Sequence, residues 1–209
     1  MKSRFEEVIT TRERLRQIVG EPSHLVSFKV IDHIDSICER FIAASPYVII
    51  GTRGADGLQD LSPKGDPTGF VHVVDRKTLA IPDRPGNNRI DTFENLLANP
   101  EVGLFFMIPG YGFTLRVSGR AMIVRDRALQ DRFAVSGKPP DLIFAVAVEE
   151  AFMHCAKSMA RAAIWKPERW PDTKDVPTLA EAMVEHGRLA EAKEEMQAII
   201  EEDFSSRMY

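Results

Sequence analysis

The spacing of apolar positions changes character along the chain. Residues 1–45 read as helical, because Ile31, Ile34, Ile37/Cys38 and Phe41 recur at the spacing of a helix laid on a core. Thr10-Thr-Arg-Glu13 has the form of a capping box, with Thr10 as cap and Glu13 three positions on. Pro46 closes this region, since the residue before a proline avoids the helical conformation. From Tyr47 the period shortens to two. Residues 47–52 are a β-branched run, Gly54-Ala-Asp-Gly57 is a turn, and residues 58–64 return as the partner strand. Residues 70–81 read as a second hairpin. Residues 102–108 and 114–124 are two more strands, joined at Pro109-Gly-Tyr-Gly112, and 142–148 is another. Six or seven strands with short turns predict a closed antiparallel barrel or a sandwich.

Helical pieces interrupt this pattern. Residues 91–98 form one, 128–135 a short second, and 149–165 a third with Phe152, Cys155/Ala156 and Met159 on one face. Pro167, Pro171 and Pro177 mark a linker. Thr178-Leu-Ala-Glu181 is a capping box that opens a terminal segment. Gly187 breaks that segment into two helices, the second carrying Leu189, Met196, Ile199/Ile200 and Phe204. The whole reads as one mainly β domain with helical additions, an α+β fold. Residues 1–45 are a helical region, 46–150 the barrel core and 151–209 the C-terminal helices.

Composition narrows the function. The 209 residues carry a net charge of −4, which argues against a protein that coats nucleic acid or an anionic membrane. The two cysteines, Cys38 and Cys155, are too few for a secreted disulfide framework and form no CxxC pair for zinc. The N-terminus shows no signal peptide. Apolar runs such as 102–108 fall far short of the ~20 residues of a membrane span. A cytoplasmic protein with no membrane or nucleic-acid partner and no metal is the expectation.

Two segments concentrate unusual polar residues: Asp60-Leu-Ser-Pro-Lys-Gly-Asp66 and Ile81-Pro-Asp-Arg-Pro-Gly-Asn-Asn-Arg-Ile-Asp91. In the first, Ser62 and Lys64 share one strand face, and Pro63 between them lacks an N–H, which favours a sheet edge or a bulge. The second places Arg84, Asn87, Asn88 and Arg89 in a loop just before a helix, a setting that suits a phosphate. A solvated basic loop is the plainer reading of the same residues. Phe70 is expected in the core. Arg116 and Arg120 share a strand face, either an outer wall or a polar pocket wall. His154-Cys155 is neither a zinc site nor a nucleophile–base pair at helical spacing, so structural packing is expected, with His154 also a candidate for a pocket. Trp165 either closes over a flat ligand or pins the linker to the barrel. No GxGxxG, P-loop, HExxH or GxSxG motif is present.

Together, Ser62-Pro-Lys-Gly-Asp, Thr68-Gly-Phe, the run from Leu79 to Asp91, and Leu115-Arg-Val-Ser-Gly-Arg-Ala121 resemble the pyridoxamine 5′-phosphate oxidase-related, FMN-dependent proteins. His154-Cys-Ala-Lys157 and Ile164-Trp-Lys-Pro-Glu-Arg-Trp170 resemble one bacterial branch of them. The resemblance spans roughly residues 30–170. It implies an FMN-binding split β-barrel of antiparallel, Greek-key type, and a homodimer with two FMN sites at the interface. It places Ser62 and Lys64 along the flavin and its phosphate tail, and backbone groups of Ile81, Pro82 and Asp83 at the ring. Arg84, Asn87, Asn88 and Arg89 fall on the phosphate, and Arg116 comes from the second subunit. The implied activity is that of a flavin-dependent oxidoreductase acting on a small organic substrate. A non-catalytic flavin carrier, or a split barrel that takes haem through His154 or a deazaflavin, are the alternatives. The C-terminal pattern by which the oxidase proper grips a pyridoxal-type phosphate is absent, and lysine stands at position 64 where the branch carries arginine.

Overall fold

The computed structural model describes residues 4–208. Three short helices lead the chain, α1 (Arg12–Val19), α2 (His24–Ser27) and α3 (Ser36–Ala44). Seven strands follow: β1 (Tyr47–Arg53), β2 (Gln59–Gly65), β3 (His72–Asp75), β4 (Thr78–Pro82), β5 (Glu101–Met107), β6 (Thr114–Val124) and β7 (Ile143–His154). Helix α4 (Asp91–Ala98) joins β4 to β5, and α5 (Arg127–Arg132) joins β6 to β7. Beyond β7 lie α6 (Lys157–Ala162), a 3-10 turn at Pro167–Arg169, α7 (Leu179–Gly187) and α8 (Lys193–Ser206).

The strands form one antiparallel sheet in the order β2-β1-β5-β6-β7-β4-β3. No ladder joins β2 to β3 among the described residues, so the barrel is split rather than closed. One cluster fills it, including Cys38, Phe41 and Ile42 of α3, Val48 and Ile50 of β1, Phe93 and Leu96 of α4, and Phe106, Leu115 and Phe144. Phe70 joins it, as expected. Phe93 stacks on Phe144 with ring centroids 4.5 Å apart, which seats α4 on β7.

Local chemistry sets the helix ends. Asp35 caps α3, its carboxylate accepting from the amides of Ile37 and Cys38 at 3.0 and 2.8 Å. Burial, and after it the hydrogen bond and negative charge that the Asp35 carboxylate presents to the thiol, push Cys38 up to about 11. The cap of α1 is Thr11, not Thr10: its hydroxyl accepts from the Arg14 amide. Thr178 caps α7 as predicted, accepting from the Glu181 amide. The apolar series before Pro46 is only partly helical. Ile31 makes a β-bridge to Ala151, Ile34 precedes the cap, and Ile37 is exposed. Leu189 lies between α7 and α8, outside the second helix.

The largest departure is at residues 149–154, which continue β7 instead of opening a helix. A bulge explains why. Ser118 pairs with Glu150 but Gly119 with Val148, so Glu149 is an extra residue in β7. The buried positions therefore run Val146, Val148, Ala151, and the step of three imitates a helix. Gly119 is required there, since a Cβ at that position would sit 2.0 Å from the Ala147 carbonyl oxygen. His154 is thus a strand residue, and Cys155 is exposed rather than packed. No helix among the described residues is long and apolar enough to cross a membrane.

Candidate functional site

Strand β2 and the connection from β4 to α4 face each other across a cavity of about 660 Å³. A second cavity of about 340 Å³ adjoins it and shares Ser62, Lys64, Arg84 and Asn87. β2 is an edge strand, so Pro63 costs no ladder bond on its open side. Its alternation turns Asp60, Ser62 and Lys64 inward and leaves Leu61 and Pro63 exposed. Opposite, the Asp83 amide donates to the Leu142 carbonyl at 3.0 Å, anchoring the loop that follows β4. Asn87 Oδ1 accepts from the Arg89 amide at 3.1 Å. Asn88 and Ile90 adopt left-handed backbone, with φ of 57° and 56°. For β-branched Ile90 this conformation costs about 1–2 kcal/mol, strain of a kind that gathers at binding sites. Ile90 is also the N-cap of α4 and supplies no side-chain cap, so the helix start at Asp91, Thr92 and Phe93 opens on the cavity.

Each cation in the cavity faces a carboxylate. Arg84 is pinned most firmly, with Nε and Nη2 at 2.6 Å from Asp66 Oδ2 and Nη1 donating to the Phe133 carbonyl at 2.9 Å. Lys64 Nζ lies 3.4 Å from Asp83 and over the Phe144 ring. Arg89, largely exposed, pairs with Asp91 at 2.8 Å. The arrangement can receive a phosphate only in competition with these carboxylates. Arg89 is the cation whose arm is freest to exchange partners, because its ion pair lies in solvent. Arg207 near the end of α8 donates to the Gly86 carbonyl at 2.9 Å, tying the C-terminal helix to the same loop.

Of the residues singled out from the sequence, Ser62, Lys64, Asp83, Arg84, Asn87, Asn88 and Arg89 line the larger cavity. Pro82 lines the adjoining one. The Ile81 side chain is fully buried in the core, but β3 pairs β4 only as far as Ala80, leaving that edge of β4 open over Ile81 and Pro82. Arg116, His154 and Trp165 line neither cavity. Arg116 lies on the outer face of β6, over the Phe152 ring. His154 pairs with Thr114 at the end of the ladder, and its Nδ1 is buried without a hydrogen-bond partner. Trp165 donates to the Tyr111 carbonyl at 3.0 Å, pinning the chain after α6 to the β5–β6 turn. The sequence reading gave no role to Asp66, Asp141 or Phe93. The Asp66–Arg84 pair had no local signal, since 18 residues separate them.

The model of the pyridoxamine 5′-phosphate oxidase family matches residues 34–155, from just before α3 to just after β7. The chain belongs to that family. A search of curated proteins returns no match. Among solved structures, HupZ of Group A Streptococcus is similar at 18% identity and TM-score 0.49, covering 57% of this chain and 93% of that one. A Clostridium acetobutylicum protein related to general stress protein 26 is similar at 18% identity and TM-score 0.43, covering 56% and 84%. An F420 reductase is similar at 20% identity and TM-score 0.42, covering 54% and 94%. The family match spans the split barrel and stops before the C-terminal helices, so the segment from α6 to α8 lies outside the matched residues.

Proposed function

We propose that this protein binds FMN in the cavity between β2 and the 83–90 loop and acts, as a homodimer, as an FMN-dependent oxidoreductase on a small organic substrate. One observation carries the reading. In a chain of this family, Ser62, Lys64, Arg84, Asn87, Asn88 and Arg89 converge on one cavity beside the uncapped start of α4. The donor set fits a phosphate monoester on a polar chain, and about 660 Å³ is within the ordinary range for a cofactor pocket. Bound flavin supplies hydride and electron transfer, and the protein supplies position and electrostatics. Arg84 is a pre-oriented fork, held by Asp66 and the Phe133 carbonyl. Arg89 turns from Asp91 to the phosphate. Lys64, between Asp83 and the Phe144 ring, favours negative charge on the ring system beside it.

The homodimer has its own support. Pro63, Ile49, Phe105, Arg116 and Phe152 lie in register as one row across β2, β1, β5, β6 and β7. With Leu61, 71% exposed, they give the outer sheet face an apolar stripe that a second copy would cover, bringing Arg116 to its partner's cavity. The haem alternative needs His154 at the cavity, and His154 lies outside it.

Affinities of FMN and riboflavin, measured side by side, test the phosphate assignment. Arg89→Gln is expected to weaken FMN by about tenfold or more, the worth of a charge-assisted hydrogen bond, and to leave riboflavin unchanged. The double variant Arg84→Gln/Arg89→Gln is expected to bind both alike. Equal FMN affinity in the native protein and both variants would contradict the assignment.

A further inference from the structure

The loop that carries Asn87, Asn88 and Arg89 is fixed at its two ends and not between. At one end the Asp83 amide is bonded to the Leu142 carbonyl and the Arg84 side chain to Asp66. At the other the Ile90 carbonyl accepts from the Phe93 and Glu94 amides at 2.8 and 3.0 Å, which ties it to the first turn of α4. Residues 85–89 make no backbone–backbone hydrogen bond among the described residues. One hydrogen bond from a distant element reaches this stretch. Arg207 Nη2 donates to the Gly86 carbonyl across 121 positions of sequence. Among the described residues, it is also the one hydrogen bond or ion pair that joins α7 or α8 to residues 34–155.

The helix that delivers Arg207 is itself held. α8 folds back on α7, with Lys193 Nζ 2.9 Å from Glu181 and 3.8 Å from Glu185, and with Ala180 and Met196 buried. In its last turn, Asp203 Oδ1 accepts from Arg207 Nη1 at 2.9 Å while Nη2 stays on Gly86. The guanidinium thus has one nitrogen on its own helix and another on the loop. Holding the Gly86 carbonyl orients a whole peptide unit. The described peptide bonds are trans, so the Gly86 carbonyl and the Asn87 N–H point opposite ways. With the carbonyl drawn to α8, the Asn87 N–H points away from that helix. Neither the Asn87 nor the Asn88 N–H has an acceptor among the described residues, and both residues line the cavity.

We infer that Arg207 is a positioning residue for the cofactor. Through the Gly86–Asn87 peptide it holds the free amides of the loop in place for the phosphate, and α8 acts as a strap that slows the release of FMN. The inference rests on the flavin reading for its ligand, though not for the strap itself.

Release rates of FMN and riboflavin from the full-length protein test it. Arg207→Gln is expected to speed FMN release about fivefold, the worth of one exposed hydrogen bond, and to leave riboflavin release unchanged. Arg207→Lys is expected to recover part of the loss. Asp203→Asn separates position from charge. It removes a negative charge beside the loop, so it would slow FMN release if Arg207 acted through charge alone. It is expected to speed release, because the guanidinium loses its anchor on α8. Unchanged FMN release in Arg207→Gln, a matching acceleration for riboflavin, or slower or unchanged release from Asp203→Asn would each overturn the inference. Trypsin tests the strap without FMN. Arg84 is followed by a proline, so Arg89–Ile90 is the loop's cleavable bond, and in cofactor-free protein Arg207→Gln is expected to be cut there faster. Should the native protein take up no FMN, the flavin reading fails by itself. Faster cleavage in Arg207→Gln would then still uphold the strap, and equal cleavage would overturn it.

Discussion

Asp66 and Arg84 show how one pair of residues can fix the geometry of a site. The Asp66 side chain is only 1% exposed and that of Arg84 18%, so this is a largely buried pair rather than a surface one. Removing one partner strands the other charge, which typically costs 3–5 kcal/mol. Asp66→Ala is expected to lower unfolding stability by about 3 kcal/mol in urea titration. Exposed Asp91, the partner of Arg89, is expected to tolerate the same change with a loss of about 1 kcal/mol or less. Equal losses would mean that Arg84 is not held as described. Ser62, Lys64, Arg84 and the two asparagines were legible in the sequence because strand alternation and a loop before a helix are local patterns. Asp66 was invisible in that role, since its use depends on β2 and β4 approaching across a cavity.

At the level of elements, the hairpins β1–β2 and β3–β4 and helix α4 follow directly from alternation, turn residues and breakers. The end of β7 does not, because the bulge at Glu149 shifts the phase of burial and gives a strand the spacing of a helix. The N-terminal apolar series misleads in the opposite direction, as Ile31 serves a β-bridge, Ile37 is exposed, and the residues that face the core from α3 are Cys38, Phe41 and Ile42. Helix α3 depends on its cap. Hydrogen bonds from the backbone, the Cys38 amide foremost, hold the Asp35 carboxyl below its ordinary value. A lowered folded-state value means that this stabilisation is complete above the ordinary carboxylate range and is lost as pH falls through the lowered value. Asp35→Ala is therefore expected to cost about 1 kcal/mol at pH 7 and progressively less in acid. A cost that does not shrink as pH falls towards 3 would contradict the cap's ionic character.

For the whole molecule, the strand count and antiparallel hairpins pointed to a barrel, and the resemblance to a split one. The absence of a β2–β3 ladder is what splits it, and that depends on edge pairing no local pattern reveals. The apolar stripe through Ile49 and Phe105 leads to a prediction about assembly. Light scattering is expected to give twice the chain mass, and Phe105→Glu, which puts a charge on the stripe, is expected to give the single-chain mass with reduced FMN occupancy. A native monomer with full FMN occupancy would remove the dimer from the account. The most direct test of the central claim is the visible absorbance spectrum of the purified protein, with the released chromophore identified by mass. The account predicts a flavin spectrum and the mass of FMN. A Soret band, or a colourless protein that takes up no added FMN, would contradict it.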